Sequence, residues 1–112
     1  MTKKILVIEP NTKPFAMDMD DSLNAMQSIV GGWIEVTKPP LHDDEAVIVC
    51  NEEGKLRGLT PNRKLHHRDG VLYDVICGTF FIINAPSNSD EFASLTDEQI
   101  AKYTELYGER TM

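Results

Sequence analysis

Three segments of this chain are apolar at consecutive positions rather than at alternate ones: KILVI (Lys4–Ile8), AVIVC (Ala46–Cys50) and the longer DVICGTFFII (Asp74–Ile83). Side chains on a strand point alternately to its two faces, so a strand without a polar face must be buried on both sides. Such strands fix the middle of a sheet. Lys4–Ile8 and Val75–Ile83 are therefore expected to lie centrally, and the remaining segments must arrange themselves around them.

The flanking segments supply the rest. PNTKP turns the chain after the first strand, and FAMDMD (Phe15–Asp20) then alternates, with Phe15, Met17 and Met19 on one face and Ala16, Asp18 and Asp20 on the other. This is a half-exposed strand closing a hairpin. The period then changes to 3.6. Leu23, Met26, Ile29 and Val30 line one side of a helix, which Asp20 or Asp21 can cap at its start and Gly31 or Gly32 at its end. WIEVT (Trp33–Thr37) reads as a third strand, and the prolines of KPPLHDDE make a loop. NEEG suggests a turn with Gly54 at a positive φ, returning through a strand at Lys55–Leu59. TPNRKLHHRDG has no sustained period and reads as a long loop, and Gly78 suggests a bulge within the strand around it.

At the C-terminal end, Thr96 and Gln99 have capping-box spacing. Leu95 and Ile100 stand where a hydrophobic staple needs them. Ile100, Tyr103 and Tyr107 or Leu106 form the helix stripe, and Gly108 stops it. The expected fold is a single α+β domain over residues 1–112, with a two-layer, mixed or antiparallel sheet carrying two helices. The order is ββαββββα, with a β-grasp-like opening.

Charge is unevenly placed. The chain has a net charge of −7, yet residues 52–70 hold five of its eleven Lys and Arg. Residues 71–112 carry seven acidic and two basic side chains. An acidic protein is a poor nonspecific binder of nucleic acid or anionic membrane. No aromatic residue interleaves the basic ones in residues 52–70, as a stacking platform for single strands would require. No apolar run approaches the ~20 residues that span a bilayer, and the apolar run at Ile5–Ile8 is too short for a signal peptide. A cytoplasmic location is expected, with Cys50 and Cys77 reduced and buried in apolar runs.

Few residues suggest chemistry. No serine stands in a G-x-S-x-G context, the phosphate-loop pattern is absent, and the two glycines of VGGWIE follow a helix instead of preceding one. No cofactor is expected. His42 with Asp43 and Asp44, and His66 and His67 with Asp69, lie in two loops. If those loops met, they could form a metal-dependent site. The more economical reading is a binding module. Arg57, Asn62, Arg63 and Lys64 would project from a basic edge and contact a protein or a small anionic ligand through charge-assisted hydrogen bonds.

Taken in order, VGGWIEV, CNEEGKLRGLTPNRKL, YDVICGTFFII and SLTDEQIAKY resemble a family of small uncharacterised proteins from phages, plasmids and gut Firmicutes, catalogued as a domain of unknown function. The resemblance runs from about Ile5 to Tyr107. It implies a cytosolic accessory protein of a mobile element, with Asn51 to Arg63 in the family's defining surface, and it implies no catalytic residue. HHRDG is more basic here than the resemblance leads one to expect.

Overall fold

The computed structural model describes residues 1–108. Seven strands and two helices follow one another as β1 (Thr2–Ile8), β2 (Phe15–Asp20), α1 (Leu23–Val30), β3 (Ile34–Thr37), β4 (Ala46–Asn51), β5 (Pro61–His66), β6 (Leu72–Cys77), β7 (Phe80–Asn84) and α2 (Asp97–Leu106). Five strands form one sheet in the order β2-β1-β7-β4-β3, and β5 and β6 form a second, two-stranded sheet. Every pairing is antiparallel. The α+β class, the antiparallel alternative and the element order are therefore as expected, with one strand more.

The doubly apolar strands do occupy the centre. β7 sends Phe80 and Ile82 to one face and Phe81 and Ile83 to the other, and all four are fully buried. On one face Ile5, Val7, Val47 and Val49 pack with Met26 and Val30 of α1. On the opposite face Leu6, Ile8, Ala46, Ile48 and Cys50 pack with Leu65 and Ile76 of the β5–β6 hairpin, with Tyr103 of α2 and with Tyr107 at its C-cap. The two helices thus lie on opposite sides, and the sheet is covered on both. Strands with no polar face demand this, because a single covering layer would leave half their side chains in water.

Local signals explain the element ends. Thr96 and Gln99 make the capping box: the Gln99 N–H donates to Thr96 Oγ1 at 3.1 Å, and the Thr96 N–H donates to Gln99 Oε1 at 2.9 Å. Leu95 is buried and Ile100 packs beside it. Ser22, and neither Asp20 nor Asp21, caps α1, accepting the Ala25 N–H at 3.1 Å. Gly31 ends that helix in the left-handed region, at φ 81°.

The sequence expectations fail between Gly54 and Gly78. Lys55–Leu59 is not a strand. It is a compact run of turns in which the Arg57 N–H donates to Glu53 O and the Leu59 N–H to Gly54 O. Gly54 is not at positive φ. It is needed because a Cβ there would lie 2.6 Å from the Cys77 carbonyl oxygen. Residues 61–66, expected as loop, form β5. A register shift between Pro61 and Arg63 turns two consecutive polar residues inward, which erases the alternation that would have marked the strand. DVICGTFFII is two strands in two sheets. Gly78, at φ 85°, is where the chain leaves the hairpin and enters the main sheet.

Candidate functional site

The four residues of the expected basic edge are not brought together. Asn62 is fully buried and Arg63 is 3% exposed. Asn62 Nδ2 donates to the carbonyls of Ile8 and Gly78, both at 2.9 Å, which ties β5 to the end of β1 and to the crossing point between the sheets. Arg63 donates from Nε to Tyr107 O at 2.9 Å, from Nη1 to Asn62 Oδ1 at 2.6 Å and from Nη2 to Thr12 O at 2.6 Å. A guanidinium fork in this position closes the C-terminal end of α2 and holds the β1–β2 turn. Both side chains are buried and spend these donors on the fold itself. Lys64 is exposed on the hairpin, and Arg57 is exposed on the 52–60 turns.

Arg57 does belong to a site. The C-terminal carbonyls of α1 need partners, and two residues, one at the end of β4 and one in the turns that follow it, supply them. Asn51 Nδ2 donates to Val30 O at 3.1 Å, and Arg57 Nη1 donates to Gly31 O at 3.2 Å. Asn51 Oδ1 also accepts the Glu53 N–H at 2.8 Å, which fixes the start of the turns. Gly32 must lack a side chain, because a Cβ there would lie 2.9 Å from Asn51 Nδ2 and 3.1 Å from Arg57 Nη1. The stretches VGGW and CNEEGKLR, distant in sequence, therefore lock together. Trp33, held just beyond Gly32, is 66% exposed. It lines an open depression of about 460 Å³ with Asn24, Gln27, Ser28, Gly32, Glu53 and Arg57. Leu56, beside Arg57, is 88% exposed. The depression thus combines an indole with a positioned guanidinium, whereas Leu56 lines a different cleft.

The two histidine loops do meet, through an ion pair between Arg68 and Asp43 at 3.7 Å, but their imidazoles do not converge. His42 is buried, with Nδ1 3.2 Å from Ala46 O and Nε2 2.8 Å from the Tyr107 hydroxyl. The carbonyl contact requires Nδ1 to carry the proton, so Nε2 accepts from Tyr107. Burial drives the His42 pKa down to about 4, although the Ala46 carbonyl opposes the shift. Next to it the Tyr103 hydroxyl donates to Asp44 Oδ1 at 2.7 Å. Burial alone would raise the Asp44 pKa, but hydrogen bonds from the Ala46 N–H and Tyr103 hold it at about 2. His67 stacks edge-on against Tyr73. Among the described residues, no group of three or more His, Cys, Asp and Glu is placed to hold a metal ion.

A second cleft, of about 410 Å³, is lined by Glu35, Lys55, Asp74 and both cysteines. Lys55 and Asp74 pair across it at 2.5 Å. Burial pushes the Cys50 thiol pKa up to about 12, which leaves it without nucleophilic thiolate at neutral pH. Sequence reasoning selected Arg57 but missed Trp33, which the alternation of WIEVT marks only as the first residue of a strand. The glycine pair before it was the available signal.

No helix among the described residues is long and apolar enough to cross a membrane. No curated protein and no solved structure matches the chain. A family model described as a domain of unknown function, DUF3846, matches residues 1–108. With nearly its whole length inside that match, the chain belongs to the DUF3846 family.

Proposed function

We propose that this protein is a non-enzymatic binding module, a cytoplasmic accessory protein of a mobile element, and that it contacts a partner protein through the surface around Trp33 and Arg57. The observation that carries this reading is the exposure of Trp33 next to a guanidinium already fixed on the end of α1. Trp and Arg dominate the few residues that supply most of an interface's binding energy. A side chain held in place before binding loses little further freedom when the partner arrives. Arg57 offers its remaining donors to a carboxylate of the partner. Lys64 does not line the depression and contributes through charge alone.

The test is to identify a partner by crosslinking in the host and then measure its affinity for purified variants. Trp33→Ala is expected to weaken binding by about tenfold or more, and Arg57→Glu by a similar factor. Lys64→Glu should change the association rate and its salt dependence more than the affinity. Circular dichroism of each variant should be unchanged. Full-strength binding by both Trp33→Ala and Arg57→Glu removes this surface from consideration.

A further inference from the structure

The opposite edge of the main sheet carries a separate recognition surface. Among the described residues β2 is an edge strand, hydrogen-bonded to β1 alone. The Asp21 N–H donates to Met1 O, and Lys3, Ile5 and Val7 stand opposite Met19, Met17 and Phe15. Antiparallel pairs alternate between bonded and non-bonded. The bonded β2 residues are therefore Phe15, Met17 and Met19, while Ala16, Asp18 and Asp20 turn their N–H groups away from the sheet. The other strand of the pair agrees with this phase, since Lys4, opposite Asp18, spends its N–H on Ser94 and its carbonyl on Leu95.

The side chains are equally available. On the α1 face of β2, Phe15 is 43% and Met17 38% exposed, because α1 covers Met19 and stops short of them. On the other face Ala16, Asp18 and Asp20 are exposed. Among the described residues neither aspartate takes part in an ion pair within 4.0 Å. We infer that the β2 edge accepts an extended segment of another protein as a sixth strand, one whose side chains alternate apolar and basic. Its apolar residues would cover Phe15 and Met17, and its lysines or arginines would lie beside Asp18 and Asp20.

Charge decides against a second copy of this chain. Residues directly opposite in an antiparallel pair share a face, so two β2 strands could centre on Met17 or on Asp18. The first register gathers four aspartates on one face, and the second sets Asp18 against its own copy. Each chain also brings a net charge of −7.

The probe is a capped heptapeptide of alternating lysine and valine, titrated into the isotopically labelled protein. Controls are its alternating glutamate–valine counterpart and a block isomer of the lysine peptide. The alternating lysine peptide is expected to bind saturably and to protect the Ala16 and Asp18 amides from exchange. Ala16→Pro removes an outward N–H at a position where an edge strand tolerates proline, and it should weaken binding by about tenfold. The double variant Asp18→Lys with Asp20→Lys should reverse the preference toward the glutamate peptide, which tests the idea even if the proline variant folds poorly. Three results overturn it: no protection of those two amides at saturation, equal binding of the block isomer, or a peptide-free dimer in sedimentation with the same amides already protected.

Discussion

Two buried groups show how much of this chain's polar chemistry serves the fold. His42 stays neutral to about pH 4, against an ordinary value of 6.5, because burial disfavours its charged form. The unfolded chain takes up a proton below pH 6.5 that the folded chain refuses until about pH 4. Stability should therefore fall as pH drops through that window, by about 3 kcal/mol in full. Asp44, held near 2 by the Ala46 N–H and Tyr103, adds a further loss below its ordinary value of 3.8. Urea denaturation between pH 7 and pH 4 measures the first effect. In His42→Gln the slope across that range should lose one proton's worth, and an unchanged slope would place the titrating group elsewhere. Arg63 gives a second prediction. Lysine cannot reproduce three donor directions from one planar fork, so Arg63→Lys should cost roughly 2–4 kcal/mol. A thermal melt reads this directly. If Arg63 served a partner instead, the variant would melt normally and bind poorly.

At the level of elements, legibility followed the strength of the local pattern. The capping box of α2, the hairpin of β1 and β2 and the apolar strands β4 and β7 all show a period or a cap that the sequence alone reveals. β5 was hidden because its inward residues include Asn62 and Arg63, polar side chains that, besides bonding each other, reach carbonyls 16 to 54 residues away. No window of sequence carries that information. The same burial removed half of the expected basic edge, leaving Arg57 as the one member that reaches the candidate site. Gly78 was visible as an irregularity, but its role as the crossing point between two sheets depends on the fold. It combines a φ of 85° with a Cβ position 2.7 Å from Leu59 Cδ1. Gly78→Ala should therefore lose about 1–3 kcal/mol. Adding Leu59→Ala should relieve the steric part and leave the backbone part. A double-mutant cycle by thermal denaturation separates them, and strict additivity would show that the Leu59 contact carries none of the cost.

Across the whole molecule, strand order grades both stability and availability. β7 and its neighbours β1 and β4 are hydrogen-bonded on both sides and covered on both faces, whereas among the described residues β2 and β3 each leave one side open. The two candidate contact surfaces fall at these opposite margins, Trp33 and Arg57 beside β3 and the acidic strand at β2. Neither requires the centre to move when it is occupied. A partner at one margin should leave binding at the other unchanged, since coupling needs an element with two alternative arrangements and the sheet between them is densely packed. Native-state hydrogen exchange makes the grading measurable. The amides of Phe81 and Ile82 in β7 should exchange only with global unfolding. The outward amides of Ala16 and Asp18 in β2, and of Ile34 and Val36 in β3, should exchange orders of magnitude faster, at nearly the rate of open chain. Val36 is outward because Trp33 O accepts the Glu52 N–H, which sets the phase of the β3–β4 ladder. Slow exchange at Ile34 and Val36 in the isolated protein would mean that the β3 margin is already covered, and Trp33 would then face a neighbouring chain instead of a free surface.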